Sequence, residues 1–537
     1  MNRRRALWVT MVLLAALPGC KRRSAPSSAG GGRSAPTSLV APLSGRGGPP
    51  ARPALAPEPG RCTHAGSGKD YPVGPGQKYA TLGQVPFESL KAGDTVRVFW
   101  RAEPYREKLM IDGLGTEKDP IRVCGVPGPK GELPVIDGEN ATTRKELDFP
   151  YDGHQVRGLV IIGHPHDTLY EATPRHIVLE GLEIRNGSPP FTFTDRSGKV
   201  LPYSGIVAGI FVQRAQNVTI RGCTVTANNN GIFIGTGGGV ELTQDVLIEG
   251  NYIHDNGSLA EYYEHNVYNE ASNVTYQYNR FGPPRGGKAG ILGANIKERS
   301  AGVIIRYNWI EDGAHLLDIV DAQEAMATTQ PMPSFHATYV YGNVMIRGKT
   351  PSGSMIHYGG DSGVFENYRK GTLFFYDNTL VVKNETYGDY KSTAVFELST
   401  NEEHLDARNN VFYSTIAPAD VRPIGMLGAR DQVSSGVAVF SHNWVREGWT
   451  AHDLTPGSTV QLKAEINGFD ASTRGTSPAF HNGPADEYEL AAGANFGAAA
   501  ALEPEIPPAL APTAQYVRHQ RSKPRPAEPA VLGALVE

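Results

Sequence analysis

An asparagine returns to the same slot of a short recurring pattern, and this return limits what the chain can fold into more than any other feature. The pattern is three to five β-prone residues, a pivot, the Asn, and a second short apolar run. Asp245-Val-Leu-Ile-Glu-Gly-Asn, Gly302-Val-Ile-Ile-Arg-Tyr-Asn and Ala337-Thr-Tyr-Val-Tyr-Gly-Asn are examples. The slot holds Asn251, Asn279, Asn308, Asn343, Asn378, Asn410 and Asn443, at successive intervals of 28, 29, 35, 35, 32 and 33 residues. Repeats of that length, made of short strands and turns with no helical stretch between, stack into a solenoid. A side-chain amide can donate to its equivalent one coil along and accept from the one behind, so a column of Asn satisfies itself inside a turn. The expectation is an all-β, single-domain parallel β-helix.

The ends carry different information. Arg3-Arg4-Arg5 precedes an apolar run, Ala6 to Leu17, with the length of a signal-peptide core and too short to span a bilayer. It ends at Leu17-Pro18-Gly19-Cys20, which resembles the lipobox of bacterial lipoproteins. That resemblance implies a leader over 1–19, acylation of Cys20, and a protein anchored by lipid to the cell envelope (outer membrane or surface). Pro18 departs from the commonest lipobox, and ordinary cleavage with secretion is the alternative. Residues 20–60, rich in Ser, Ala, Gly, Pro and Arg, cannot bury enough surface to offset chain entropy and read as a flexible tether. The formal charge of −4 over 537 residues argues against a nucleic-acid partner.

With Cys20 lipidated, Cys62, Cys124 and Cys223 remain, so one stays single. Cys62 and Cys124 both fall near the start of the helix and are expected to pair there. Cys223 takes the slot later given to Asn and reads as a small buried hydrophobe. No Cys and His spacing suits a structural zinc.

Tyr79-Ala-Thr-Leu followed by Phe87-Glu-Ser-Leu suggests a short amphipathic helix capping the first coil, whose core and strand edges have no neighbour. Val73-Gly-Pro-Gly-Gln-Lys-Tyr-Ala-Thr-Leu, Ala92-Gly-Asp-Thr-Val and Pro120-Ile-Arg-Val-Cys-Gly-Val-Pro-Gly together resemble the opening of right-handed parallel β-helix proteins of the pectate-lyase-like superfamily. The resemblance covers about 71–450 and implies a right-handed coil over 61–504. Pro512-Thr-Ala-Gln-Tyr-Val and the stretch after Arg525 are similar to the closing segment of such proteins, which implies that 505–537 packs on the last coils.

Loops longer than a plain turn interrupt the coils, and such insertions tend to gather on one face and build its site. Three of them carry Glu264-His265-Asn266-Val267-Tyr268, Asn295-Ile296-Lys297-Glu298-Arg299 and His357-Tyr358-Gly359-Gly360-Asp361. These resemble three linked motifs of an uncharacterised bacterial β-helix family, although Gly359 to Gly363 holds one residue more than the motif. Strands of successive coils stack about 4.7–4.9 Å apart, so residues one coil apart in sequence become lateral neighbours. The separation 297 − 265 = 32 fits one coil. Lys297 and Arg299 then leave one face of a strand while Glu298 leaves the other.

Two cations beside His265 and Tyr268 suit a uronate polymer. In β-elimination the sugar carboxylate is neutralised, a base removes the neighbouring proton, and the 4-linked oxygen leaves. Polysaccharide lyases of this fold, which the chain resembles, use Lys or Arg as base and often Ca²⁺. The expected roles are Lys297 as base, Arg299 as carboxylate clamp, and His265 or Tyr268 as acid to the leaving group. Tyr262, Tyr263, Asn266, Asn295, His357 and Tyr358 are candidate substrate-binding residues, and Asp318 and Asp321, with Glu324, candidate Ca²⁺ ligands. Each has an ordinary alternative. The cations can be a solvated pair matched by Glu298 neighbours or Asp318, the histidines plain loop residues, the acids a solvated loop, and Asn266 and Asn295 members of a ladder. A hydrolase built on Asp361, Asp377 and Asp406, or a monomeric glycan-binding scaffold without catalysis, remain alternatives to the lyase.

Overall fold

The pivot explains how each coil turns. In the seven Asn-bearing repeats the residue before the Asn adopts φ between 52° and 65°, the left-handed region that bends an extended chain within one residue. At Gly342 no other residue fits, because a Cβ would lie 2.6 Å from the Tyr307 ring. Past the pivot the chain enters the next strand, and repetition builds three long sheets. Among the described residues these contain 15, 11 and 14 strands, and successive coils pair in parallel except at the hairpin of Thr192–Thr194 with Val200–Pro202. The computed structural model describes residues 62–537, except 150–155, 166–172, 237–242, 260, 288–289, 292, 349–352, 384–392, 416–423, 431–432, 453–458, 492–493, 495–498 and 527–530. The leader, Cys20 and the tether lie outside the described residues.

Alternate residues of each strand point inward and stack in files along the axis. One file runs Leu179, Ile220, Ile248, Tyr276, Ile305, Val340, Phe375, Ala407 and Phe440, each paired with the next. All are buried in a single core cluster. The Asn column lies at the corner beside this file. Each side-chain amide from Asn251 to Asn410 donates to the Oδ1 of the next Asn at 2.9–3.2 Å, and that oxygen also accepts the preceding Asn backbone N–H. Cys223 heads the column: its N–H donates to Asn251 Oδ1 at 2.9 Å and its thiol is buried. Cys62 and Cys124 form a disulfide across a separation of 62 residues.

Two expectations are corrected. The opening cap is not an amphipathic helix but two 3₁₀ turns, Leu82–Gln84 and Phe87–Ser89, burying Leu82, Val85, Phe87 and Leu90. Pro86 between them has no N–H for a continuous helix. Nor is the closing segment confined to the last coils. It runs back along the outside, where Tyr376 Oη donates to Leu510 O at 2.8 Å, Thr513 N–H donates to Tyr307 Oη at 3.0 Å, and Gln520 Nε2 donates to Gly250 O at 2.9 Å. The reason is an outward file of Tyr278, Tyr307, Tyr341 and Tyr376, an apolar strip that Ile506, Leu510 and Ala514 cover.

Candidate functional site

The outer face of the 14-stranded sheet changes character along the axis. Register aligns Ile161, Phe211, Phe233, Tyr268, Lys297, Asp318, His357 and Glu397 as successive outward neighbours, one per coil. Phe211 stacks on Phe233 at 5.2 Å between ring centroids, and Phe233 on Tyr268 at 4.7 Å. The next four positions are ionisable. An aromatic strip therefore leads into an ionic one.

Lys297 sits between two carboxylates, its Nζ 2.5 Å from Asp318 Oδ2 and 2.5 Å from Asp361 Oδ2. Arg299, two residues on, donates from Nη2 to both Asp361 oxygens at 2.9 and 3.1 Å, and from Nη1 to the Asp321 carbonyl at 2.8 Å. Burial alone would raise both aspartates. Lys297 with His357 outweighs it at Asp318, and Lys297 with Arg299 outweighs it at Asp361, so both carboxyls are held below the ordinary range. Arg430 Nη1 donates to His357 Nε2 at 3.0 Å, which fixes the His357 proton on Nδ1, 2.8 Å from Asp318 Oδ1. Glu397 completes the row beside Arg430, at 3.4 Å.

His265 is neutral. Burial, and then Lys297, push it down to about 3, and its Nδ1 accepts the Ala294 N–H at 2.9 Å. The remaining proton is therefore on Nε2. Burial keeps the Tyr268 hydroxyl protonated through the neutral range, and it donates to Glu324 Oε1 at 3.2 Å. Glu270, one turn past Tyr268, is raised to about 8 by burial and then by Glu324, so it carries a proton at neutral pH. His315 donates from Nδ1 to Ser354 O at 2.8 Å, leaving Nε2 bare, and burial lowers its pKa so that this lone pair is available.

The coils thus bring Lys297, Arg299, His265, Tyr268 and His357 together; register adds Glu397, and the connecting segments add Asp361, His315, Arg430 and Glu270. Counting one coil beyond His357 along the outward row leads to Glu397. Arg430 and His315 carry no such signal, because they reach the row from loops.

Other expectations fail on burial or on partners. The pair is not an exposed electropositive groove: Lys297 and Arg299 are each 6% exposed and are matched by carboxylates. Asn266 and Asn295 are no substrate ligands. They are fully buried in a second column, where Asn228 donates to Asn256, Asn256 to Asn266 and Asn266 to Asn295, at 3.0, 3.0 and 2.8 Å. Tyr358 points inward and is fully buried. Glu298 also points inward, onto Asn269, Tyr276 and the Ser300 N–H, and is raised by burial to about 7. Tyr262 and Tyr263 stand in solvent, 64% and 78% exposed, on the loop before His265. Asp377 and Asp406 bind Arg525 and Arg408 away from the row, so the three-aspartate hydrolase set is not assembled.

The donors do not fit calcium. Ca²⁺ takes six to eight oxygen ligands. Both Asp318 oxygens already accept from Lys297 and His357, and Asp321 Oδ1 accepts the Asp361 N–H at 2.8 Å. One ligand atom each of His315, Asp318 and His357 lies within 4.8 Å of the others. A cation there would meet the Lys297 ammonium and the Arg430 guanidinium.

Residues 203–330 match the family model described as the right handed beta helix region. The chain is a right-handed parallel β-helix. No curated protein matches the sequence. Solved structures similar to this β-helix include an alginate lyase from Paenibacillus sp. str. FPU-7 (11% identity, TM-score 0.36, 70% of this chain and 93% of that one). Others are the pectate lyase Pel9A (11%, 0.38, 82% and 94%) and a lacto-N-biosidase from Eubacterium ramulus (13%, 0.37, 74% and 68%). No residue role is transferred from them to this β-helix.

Proposed function

We propose that the outer face of the 14-stranded sheet binds an acidic polysaccharide and cleaves it by β-elimination. The observation that carries this reading is the register row itself, in which an aromatic strip runs into Lys297 and Arg299 with neutral His265 and His315 beside them. Aromatic faces suit the apolar side of a sugar ring, and a guanidinium pairs bidentately with a carboxylate. The roles differ from those expected of the sequence. The Lys297 ammonium is already committed to two carboxylates at 2.5 Å, so Lys297 acts with Arg299 in neutralising the uronate. The bare Nε2 of His315 takes the proton next to that carboxylate. His265 offers Nε2–H to the enolate oxygen, and the Tyr268 hydroxyl protonates the departing 4-linked oxygen. For the sugar carboxylate to reach Arg299 it must exchange with Asp361, which occupies that position.

The Cys62–Cys124 disulfide supports export to an oxidising compartment, with Cys20 acylated and 20–60 as the tether of a monomer. Pectate, alginate and glycosaminoglycans, each with and without Ca²⁺, test the activity through the ultraviolet absorbance of the unsaturated product. A rise with at least one polymer, lost in Arg299→Ala, is expected. Binding without any product across the panel would leave a glycan-holding scaffold and refute the lyase.

A further inference from the structure

Asp361 belongs both to the ionic row and to the wall of a separate cleft of about 580 Å³, whose other walls include Phe365, Tyr368, Asn401, Arg430 and Lys463. The charges in that wall are unequal. Among the described residues Asp361 is the one carboxylate lining it, and both its oxygens are turned to Lys297 and Arg299. Arg430 spends Nη1 on His357 and Glu397 and has a side chain 35% exposed, while its Nε and Nη2 have no acceptor among the described residues. Lys463 is exposed, with no carboxylate on its ammonium among the described residues. Its backbone is fixed instead, because Asn401 Nδ2 donates to the Lys463 carbonyl at 2.7 Å. Phe365 is 60% exposed at the rim, braced edge-on against Tyr368 at 5.2 Å. Among the described residues, then, an exposed ammonium without a carboxylate, a guanidinium with spare donors and a braced, solvent-facing ring share one concave surface. Together they suit a ligand with an anionic group on an otherwise apolar ring face.

We propose that this cleft is a subsite for an anionic sugar unit, with Arg430 and Lys463 on its carboxylate or sulfate and Phe365 under its ring. The subsite rests on reading the adjoining face as glycan-binding, and adds to it a second position beyond Asp361. A chain lying along the face then passes from the aromatic strip, across the cation pair, into the cleft. The outlying anion specifies an acidic polymer in two units and not in one.

The test is calorimetric titration of the full chain with hexagalacturonate, a heparin-derived hexasaccharide, and neutral cellohexaose. Either or both of the anionic hexasaccharides should bind, more weakly as salt is raised, and which of them binds separates carboxylate from sulfate. Lys463→Glu and Phe365→Ala should each weaken that binding about tenfold, and Lys463→Arg should retain it. Both side chains are exposed, so an unchanged unfolding midpoint confirms that the variants fold. Unchanged affinity in Lys463→Glu and Phe365→Ala, equal affinity for cellohexaose, or no binding of either anionic probe would each overturn the subsite. The outcomes also separate it from the lyase reading. Binding that depends on Lys463 but yields no product refutes β-elimination alone, and product formation with binding indifferent to Lys463 refutes the cleft alone.

Discussion

Replacing Lys297 by Met tests the ionic row at its centre. The substitution keeps the length of the stem and removes the ammonium that Asp318 and Asp361 share at 2.5 Å each. Breaking a buried ion pair costs about 3–5 kcal/mol when the remaining charge is left alone. Here each carboxylate keeps one other partner, His357 on Asp318 and Arg299 on Asp361, and the Asp361 side chain is 23% exposed. The expected loss is therefore about 3–4 kcal/mol, the lower part of that range. Adding Asp361→Asn to the variant removes one of the two carboxylates but also the close partner of Arg299, so it should return less than half of the loss. The pH dependence carries an independent sign. Burial raises each carboxyl, but Lys297 with His357 at Asp318, and Lys297 with Arg299 at Asp361, outweighs it, so both sit below their ordinary value of 3.8 in the folded protein. Such groups hold fewer protons folded than unfolded, so their stabilisation is complete above 3.8 and is lost as the pH falls through the folded value. The gap between wild type and Lys297→Met should thus be widest near neutrality and close under acid. A solenoid need not unfold in one step, so urea titration is best paired with hydrogen exchange at Ile296–Glu298 and Leu317–Ile319. A change in stability below about 0.5 kcal/mol, or a gap that does not depend on pH, would refute the bridged geometry.

Two further outcomes follow from single contacts, and a third from the acylation proposed for Cys20. Asn308→Ala strips the acceptor from the Asn279 N–H and the donor from the Tyr276 carbonyl, both inside the column, and should cost about 3–6 kcal/mol in urea unfolding, whereas a loss under 1 kcal/mol denies the ladder. His265, pushed down to about 3, should show an unprotonated Nδ1 and a protonated Nε2 by ¹⁵N NMR from pH 5 to 8, and its folded state should lose stability as the pH falls below 6.5; titration near 6.5 contradicts its burial. If Cys20 is acylated as proposed, the protein should need detergent to leave the membrane fraction and Cys20→Ser should be soluble; a soluble wild type, or continued membrane association of the variant, denies acylation.

The scaffold was legible because its signal is local and repeated. Asn251 through Asn443 recur where each coil turns, so the spacing alone gives both the coil length and the column. Strand alternation then places Lys297 and Arg299 outward with Glu298 inward, as the structure has them. The remainder of the site depends on loops. Whether Lys297 meets solvent or Asp361 is decided by the turn at 359–363, and no period in the sequence reaches across it. The same limit explains Asn266 and Asn295. Their type suits a ladder or a site equally, and only a second corner column, unmarked by any long series of repeats, decides between them.

Asp361 is the position at which scaffold and chemistry conflict. Both its oxygens engage Arg299 Nη2, the nitrogen that a sugar carboxylate would need, and its own N–H donates to Asp321 Oδ1 at 2.8 Å. If it is an internal occupant, substrate binds only to the fraction of molecules in which it has let go, and apparent affinity is reduced by that fraction. Asp361→Asn removes the charge that competes for Arg299 while keeping the shape of the side chain. An occupant populated nine times in ten would then lower KM about tenfold on its release, with kcat little changed. If Asp361 instead takes part in proton transfer, the same substitution lowers kcat by a hundredfold or more, about the contribution of a general acid or base, and leaves KM near its original value. Steady-state kinetics on whichever polymer the panel selects separates the two, and a fall in kcat without a fall in KM would return Asp361 to the catalytic groups and remove the need for exchange.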